Sequence, residues 1–179
     1  MSDLRGLSTT RPSVMPVHHS VTQRATPVAP MESLADAAAR LNSAANRNEA
    51  VEAVFEIGAS LIGAGEAALY MVEWNLAMLR LIGSRGIGAH VLVKMGSGRI
   101  GETALSGKDY VIDTGVPLSG HATDDRLTLC IPLDYDDTPA FVFAVYGLLP
   151  HKRHLQKNDL AVVRFLKDRA AAHILRFHE

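Results

Sequence analysis

The chain has 179 residues, 47% of them hydrophobic, with 18 basic and 19 acidic side chains, a formal net charge of −1 and a single cysteine. Length and apolar content fit one globular unit with its own core. Near-neutral charge gives no field for nucleic acid or an anionic membrane, one cysteine allows no internal disulfide, and no apolar run reaches the roughly 18 residues of a membrane span.

Residues 1–30 carry prolines at 12, 16, 27 and 30 among Ser, Thr, Val and Arg, without helical or alternating period. They read as a disordered tail, too poor in patterned apolar surface to offset its ordering entropy, and residues 31–179 as a single domain. The start has no apolar signal-peptide core, so a cytoplasmic location is expected. His18-His19 in the tail lacks the further ligands of a metal site.

From Glu32 the pattern turns helical: Leu34, Ala38, Leu41 and Ala45, an interruption at Asn46–Asn48, then Val51, Val54, Phe55, Leu61 and Ile62. This predicts two consecutive helices or one broken helix, stopped by Gly63 and Gly65. Ala67–Trp74 reads as a buried strand and Leu76–Gly83 as its hairpin partner. A possible strand at His90–Met95 leads into GSGRIG, a short helix, and a short strand at Tyr110–Ile112. After a loop from Asp113 to Arg126, LTLCIPL and AFVFAVYGL read as two central antiparallel strands joined by a turn in DYDDTP. Asn158–Phe177 predicts the last helix, with Asn158 as N-cap and a stripe of Leu160, Val163, Leu166, Ala170, Ile174 and Phe177. The order predicts an α+β fold with a mainly antiparallel sheet and helices on one face.

Gly96, Gly98 and Gly101 match the dinucleotide-binding spacing G-x-G-x-x-G. The context does not: ETALS before Gly107 leaves room for about two helical turns, and no acidic residue follows at the required distance. The phosphate loop of nucleoside triphosphatases fails as well, because Asp109 follows Gly107-Lys108 where Ser or Thr is needed. The glycines are therefore expected to shape a turn.

Two stretches carry a resemblance. GSGRIGETALSGKDYVIDTG and DRLTLCIPLDYDDTPAFVFAVYGL together resemble the GAF domains, small-molecule and regulatory sensors of signalling proteins. The likeness spans about Glu32 to Phe177. It implies a GAF-like (PAS/profilin-like) central antiparallel sheet flanked by the N- and C-terminal helices on one face. It also implies a ligand pocket beneath the short helix and the following loop, with candidate residues Tyr70, Arg99, Ile100, Asp113, His121, Asp125, Arg126 and Cys130.

The Asn-Lys-Phe-Asp-Glu signature of the cyclic-nucleotide-binding members is not found here. Bilin attachment and free methionine sulfoxide reduction fit poorly with one cysteine in an apolar strand. His121, Asp124 and Asp125 supply no nucleophile with a matching base, so no catalytic activity is expected. His151 and His154 flank Lys152 and Arg153 at a spacing that superficially suits a metal, but cationic neighbours favour a plain basic loop; no metal and no particular cofactor is implied. His173 falls on the apolar stripe of the last helix. With 179 residues there is no room for an attached output domain, so output is expected through contact with a signalling protein, and the terminal helices are expected to pair two copies into a homodimer. The reading is a non-enzymatic, bacterial-style regulatory domain sensing a small ligand. Its alternative is a degenerate domain acting as a protein-interaction adaptor.

Overall fold

A computed structural model describes residues 31–112 and 126–177. Helix α1 (Leu34–Asn42) starts at Ser33, whose hydroxyl accepts from the Asp36 N–H. The Asp36 carboxylate reaches back to the Glu32 N–H at 3.1 Å and accepts from the Ser33 hydroxyl at 2.8 Å. These bonds, the Ser33 hydroxyl first, hold Asp36 below the ordinary carboxylate value. The Asn46–Asn48 interruption is a helix start: Asn46 caps α2 (Arg47–Ile57) by accepting from the Glu49 N–H at 2.9 Å. A π turn (Gly58–Ile62) extends α2 until Gly63, at φ 82°, ends it.

Strand β1 (Ala64–Glu73) begins earlier than its apolar run suggests and includes Gly65, expected from the sequence to stop the helix. A Cβ at Gly65 would lie 3.3–3.4 Å from the Leu148–Leu149 backbone, where the strand register shifts. Close backbone approach, rather than termination, is what this glycine provides. Then follow β2 (Met78–Arg85), β3 (Leu92–Lys94), α3 (Gly98–Ser106), β4 (Tyr110–Val111), β5 (Leu129–Tyr135), β6 (Thr138–Leu148) and α4 (Asp159–Leu175). Asp136 and Asp137, both at positive φ, form the two-residue turn between β5 and β6, where Tyr135 pairs with Thr138.

The strands form one antiparallel sheet in the order β3-β2-β1-β6-β5-β4. Its central strands are apolar on both faces because both are covered. Ala67, Leu69, Leu129, Ile131, Leu133, Phe141, Phe143 and Val145 pack beneath α1, α2 and α4, against Leu41, Val54, Ile57, Leu166 and Ile174. The alternate residues Ala68, Tyr70, Val72, Cys130, Val142, Ala144 and Tyr146 face the other way, under α3. The terminal helices thus share one face as expected, with α3 on the opposite face.

Two expectations about α4 change. Asn158 occupies the N-cap position with helical φ and ψ and makes no side-chain cap bond. The Asp159 carboxylate instead accepts from the Gln156 N–H at 2.6 Å and from Lys152 Nζ at 2.7 Å. Leu160 is 49% exposed, and Val162 is buried instead. The inward row runs Asp159, Val162, Val163, Leu166, Ala170, Ile174, which places a neutralised aspartate where an apolar residue was expected. The His173 Nδ1–H donates to the Arg169 carbonyl at 2.9 Å, and Nε2 lies 2.9 Å from Asn42 Oδ1, so this half-buried histidine joins α4 to α1.

Candidate functional site

The region beneath α3 is built by the glycine turn. After β3 the Met95 N–H donates to the Ala77 carbonyl at 2.9 Å, and Gly96 and Gly98 adopt φ of 77° and 61°. The Gly96 N–H donates to the Gly101 carbonyl at 2.8 Å, closing the turn onto the first helical residues. A Cβ on Gly101 would stand 2.3 Å from the Lys94 carbonyl oxygen and 3.0 Å from the Gly96 nitrogen, a clash with backbone that no rotamer change relieves. Gly107, at φ 65°, ends the helix with its N–H on the Thr103 carbonyl at 3.0 Å. Because β3 pairs antiparallel with β2 and α3 spans nine residues, the G-x-G-x-x-G spacing lies outside any parallel βαβ unit.

Helix α3 turns Ile100, Gly101, Thr103 and Ala104 inward and leaves Arg99, Glu102 and Leu105 outside. Beneath it lie Tyr70 of β1 and Cys130 of β5, both fully buried, with Ile100 3% exposed. These three predicted residues therefore share one apolar layer. Arg99 does not join them: its guanidinium sits 4.9 Å over the Tyr110 ring and 3.3 Å from Glu102, on the rim. Arg126 is more than half exposed and pairs with Glu66 at 2.5 Å. Asp113, His121 and Asp125, in the segment joining β4 to β5, lie outside the described residues, as do the tail 1–30 and Asp124.

Sequence reasoning missed Val142, Ala144 and Tyr146, although their alternation along β6 marks them as a second inward face. It also missed Lys167. This α4 residue reaches around the sheet edge, with Nζ donating to the Gly107 carbonyl at 3.2 Å and standing 3.0 Å from Asp109 and 3.8 Å from Asp134. Burial pushes the Asp134 carboxyl above its ordinary value; Lys167 opposes that rise, and Asp109, Asp168 and Asp137 add to it.

The layer under α3 is apolar and aromatic, with polar groups at its rim, the composition of a small-molecule site. Cys130 lies deep in it, opposite Tyr110 and Ala144 in the strand register. Among the described residues no group of three or more His, Cys, Asp or Glu is placed to hold a metal ion. None of the described helices is long and apolar enough to cross a membrane.

Neither a protein-family model nor a curated protein sequence matches the chain. Solved structures do. The GAF domain of a phosphoenolpyruvate-protein phosphotransferase from Coxiella burnetii is similar with a TM-score of 0.65 at 18% identity, covering 81% of this chain and 92% of its own. A GAF sensor protein from Burkholderia vietnamiensis gives 0.63 at 18%, covering 81% and 93%. The free methionine-R-sulfoxide reductase from Neisseria meningitidis, solved with its substrate, gives 0.57 at 16%, covering 81% and 86%. Regulatory domains and an enzyme thus share this architecture, and the chain has the GAF-type fold.

Proposed function

We propose that this chain is a regulatory GAF-type domain of a signalling pathway that senses a small ligand between α3 and the sheet and has no catalytic activity of its own. One observation carries the reading. The sheet has a second apolar layer, separate from the core under α1, α2 and α4, roofed by a nine-residue helix held between glycine turns. Tyr70, Ile100 and Cys130 would contact the ligand, with Arg99 at the rim and Arg126, Asp113, His121 and Asp125 contributed from the β4–β5 connection. The deep position of the single thiol supports a binding role over sulfur redox chemistry, which needs an accessible thiolate.

The adaptor reading has support in the same layer. Tyr70, Leu127, Cys130, Val142 and Ala144 are each fully buried, so a ligand enters only if part of the layer's cover moves away. In either reading the chain acts in the cytoplasm of a bacterial cell through a protein partner, and as a homodimer. Leu34 of α1 and Leu160 of α4, 39% and 49% exposed, support pairing through the terminal helices.

Native mass spectrometry of the purified full chain, compared with its denatured mass, separates the two. Extra mass that disappears on denaturation is the expected result for the sensor and gives the ligand's mass. A clean multiple of the chain mass, unchanged after incubation with cell metabolites, would leave the adaptor.

A further inference from the structure

Far from α3 lies a depression of about 430 Å³ between the end of the π turn and the loop before α4, lined by Ser60, Leu61, Gly63, Gln156 and the run His151–His154. The loop is pinned from within. The Leu149 N–H donates to the Gly63 carbonyl at 2.7 Å and the Lys152 N–H to the Leu149 carbonyl at 2.8 Å. Lys152 crosses beneath Gly63, where a Cβ would meet its Cδ at 2.6 Å, to reach Asp159. That pair, 13% and 6% exposed at the side chains, matches Lys152 with the first carboxylate of α4.

What remains is uncompensated. His151, Arg153, His154 and Lys157 are exposed, and none of their side chains has a hydrogen bond or ion pair among the described residues. The carbonyl end of the π turn offsets only about −0.5 of a charge. Arg153 and Lys157 alone exceed that, even with both imidazoles neutral. A concave surface held in shape, lined by a guanidinium, two imidazoles and the Ser60 hydroxyl, offers donors on several sides and no competing carboxylate. Phosphoryl oxygens match that set, being acceptors only and carrying up to two charges, and arginine binds them in a fixed planar geometry.

The geometry points to a phosphomonoester-binding site in this depression, contacted by Arg153, His151, His154 and Ser60 and independent of the layer under α3. Its ligand is the phosphate group of a soluble molecule, either a free metabolite or a phosphorylated side chain of a partner protein.

The test is a ¹H–¹⁵N NMR titration of the full chain with phenyl phosphate and, separately, with a phosphoserine peptide. Shifts confined to residues 60–63 and 151–157, with a dissociation constant near or below about 1 mM, are expected. The combined variant His151→Gln, Arg153→Gln, His154→Gln should weaken binding by about tenfold or more, while Arg164→Gln, on the exposed side of α4, should leave it unchanged. All substituted side chains are exposed, and the remaining resonances report that the fold is intact. Tighter binding of the peptide than of phenyl phosphate identifies a protein source; equal or weaker binding identifies a metabolite. Shifts spread over cationic residues elsewhere, no shifts at about 20 mM ligand, or equal affinity in the combined variant would overturn the assignment.

Discussion

Two aspartates at the ends of elements show how partnering decides what a buried carboxylate does. Asp159, 4% exposed, has both oxygens engaged by Lys152 and the Gln156 N–H. Asp134 has its Oδ1 buried without a hydrogen-bond partner among the described residues and meets Lys167 only at 3.8 Å, beside three other aspartates. Its folded-state titration therefore lies above the unfolded value, so between those two values the folded protein binds more protons than the unfolded chain. Stability from this residue is fully present below the unfolded pKa of about 3.9 and is lost as pH rises through the folded value. Asp134→Asn removes the charge that burial opposes. Thermal unfolding should show the variant melting higher than the parent at pH 7, with the gap closing below about pH 4. A lower melting temperature at pH 7 would mean that the Lys167 attraction outweighs burial.

At the scale of elements, the glycine turn and α3 behave as one unit. Gly101→Ala puts a methyl group against the Lys94 carbonyl and should cost about 1–3 kcal/mol in denaturant unfolding. Gly88→Ala, with nothing within 4 Å of its Cβ, should stay within about 0.5 kcal/mol of the parent. Equal effects would mean that the turn relaxes freely and does not fix α3. Most of these elements were legible in the chain because periodicity and caps are local signals. The break at Asn46–Asn48, the Asp-rich turn and the two apolar central strands all follow from neighbours a few residues apart. The inward position of Asp159 was not legible, because it depends on Lys152 folding back to neutralise it. Gly65 was misplaced for a similar reason: its lack of a side chain serves a strand whose approach comes from residues far along the chain. In the candidate layer, Tyr70, Ile100 and Cys130 were found through a resemblance, and the structure brings them together. Arg99 and Arg126 carry the right charge for a ligand contact, but their guanidinium groups meet Tyr110, Glu102 and Glu66.

At the scale of the whole molecule, the proposed sensing beneath α3 would have to cross the sheet to reach α4, because the two helices lie on its opposite faces. Lys167 spans that separation at the sheet edge. Its ammonium group, on a side chain 24% exposed, binds the carbonyl that ends α3 and the carboxylate of Asp109 just before β4, and lies near Asp134 of β5. No local pattern announces this contact, since Lys167 is separated by 58 residues from Asp109 and by 60 from Gly107. A helix that shifts to admit a ligand would carry the Gly107 carbonyl with it, changing the pull on α4 and so on any partner bound there. Lys167→Met keeps much of the aliphatic stem while removing the charge and its hydrogen bonds. Amide hydrogen exchange should then speed up about tenfold, or about 1.4 kcal/mol of local opening, at Thr103 to Gly107, while amides in α1 and α2 change little. Uniform acceleration across the chain would instead make Lys167 a contributor to global stability alone. If α3 loosens by itself, pairing of two copies as proposed above should also become insensitive to a ligand beneath that helix, because reciprocal linkage requires both sites to bias the same connecting contact.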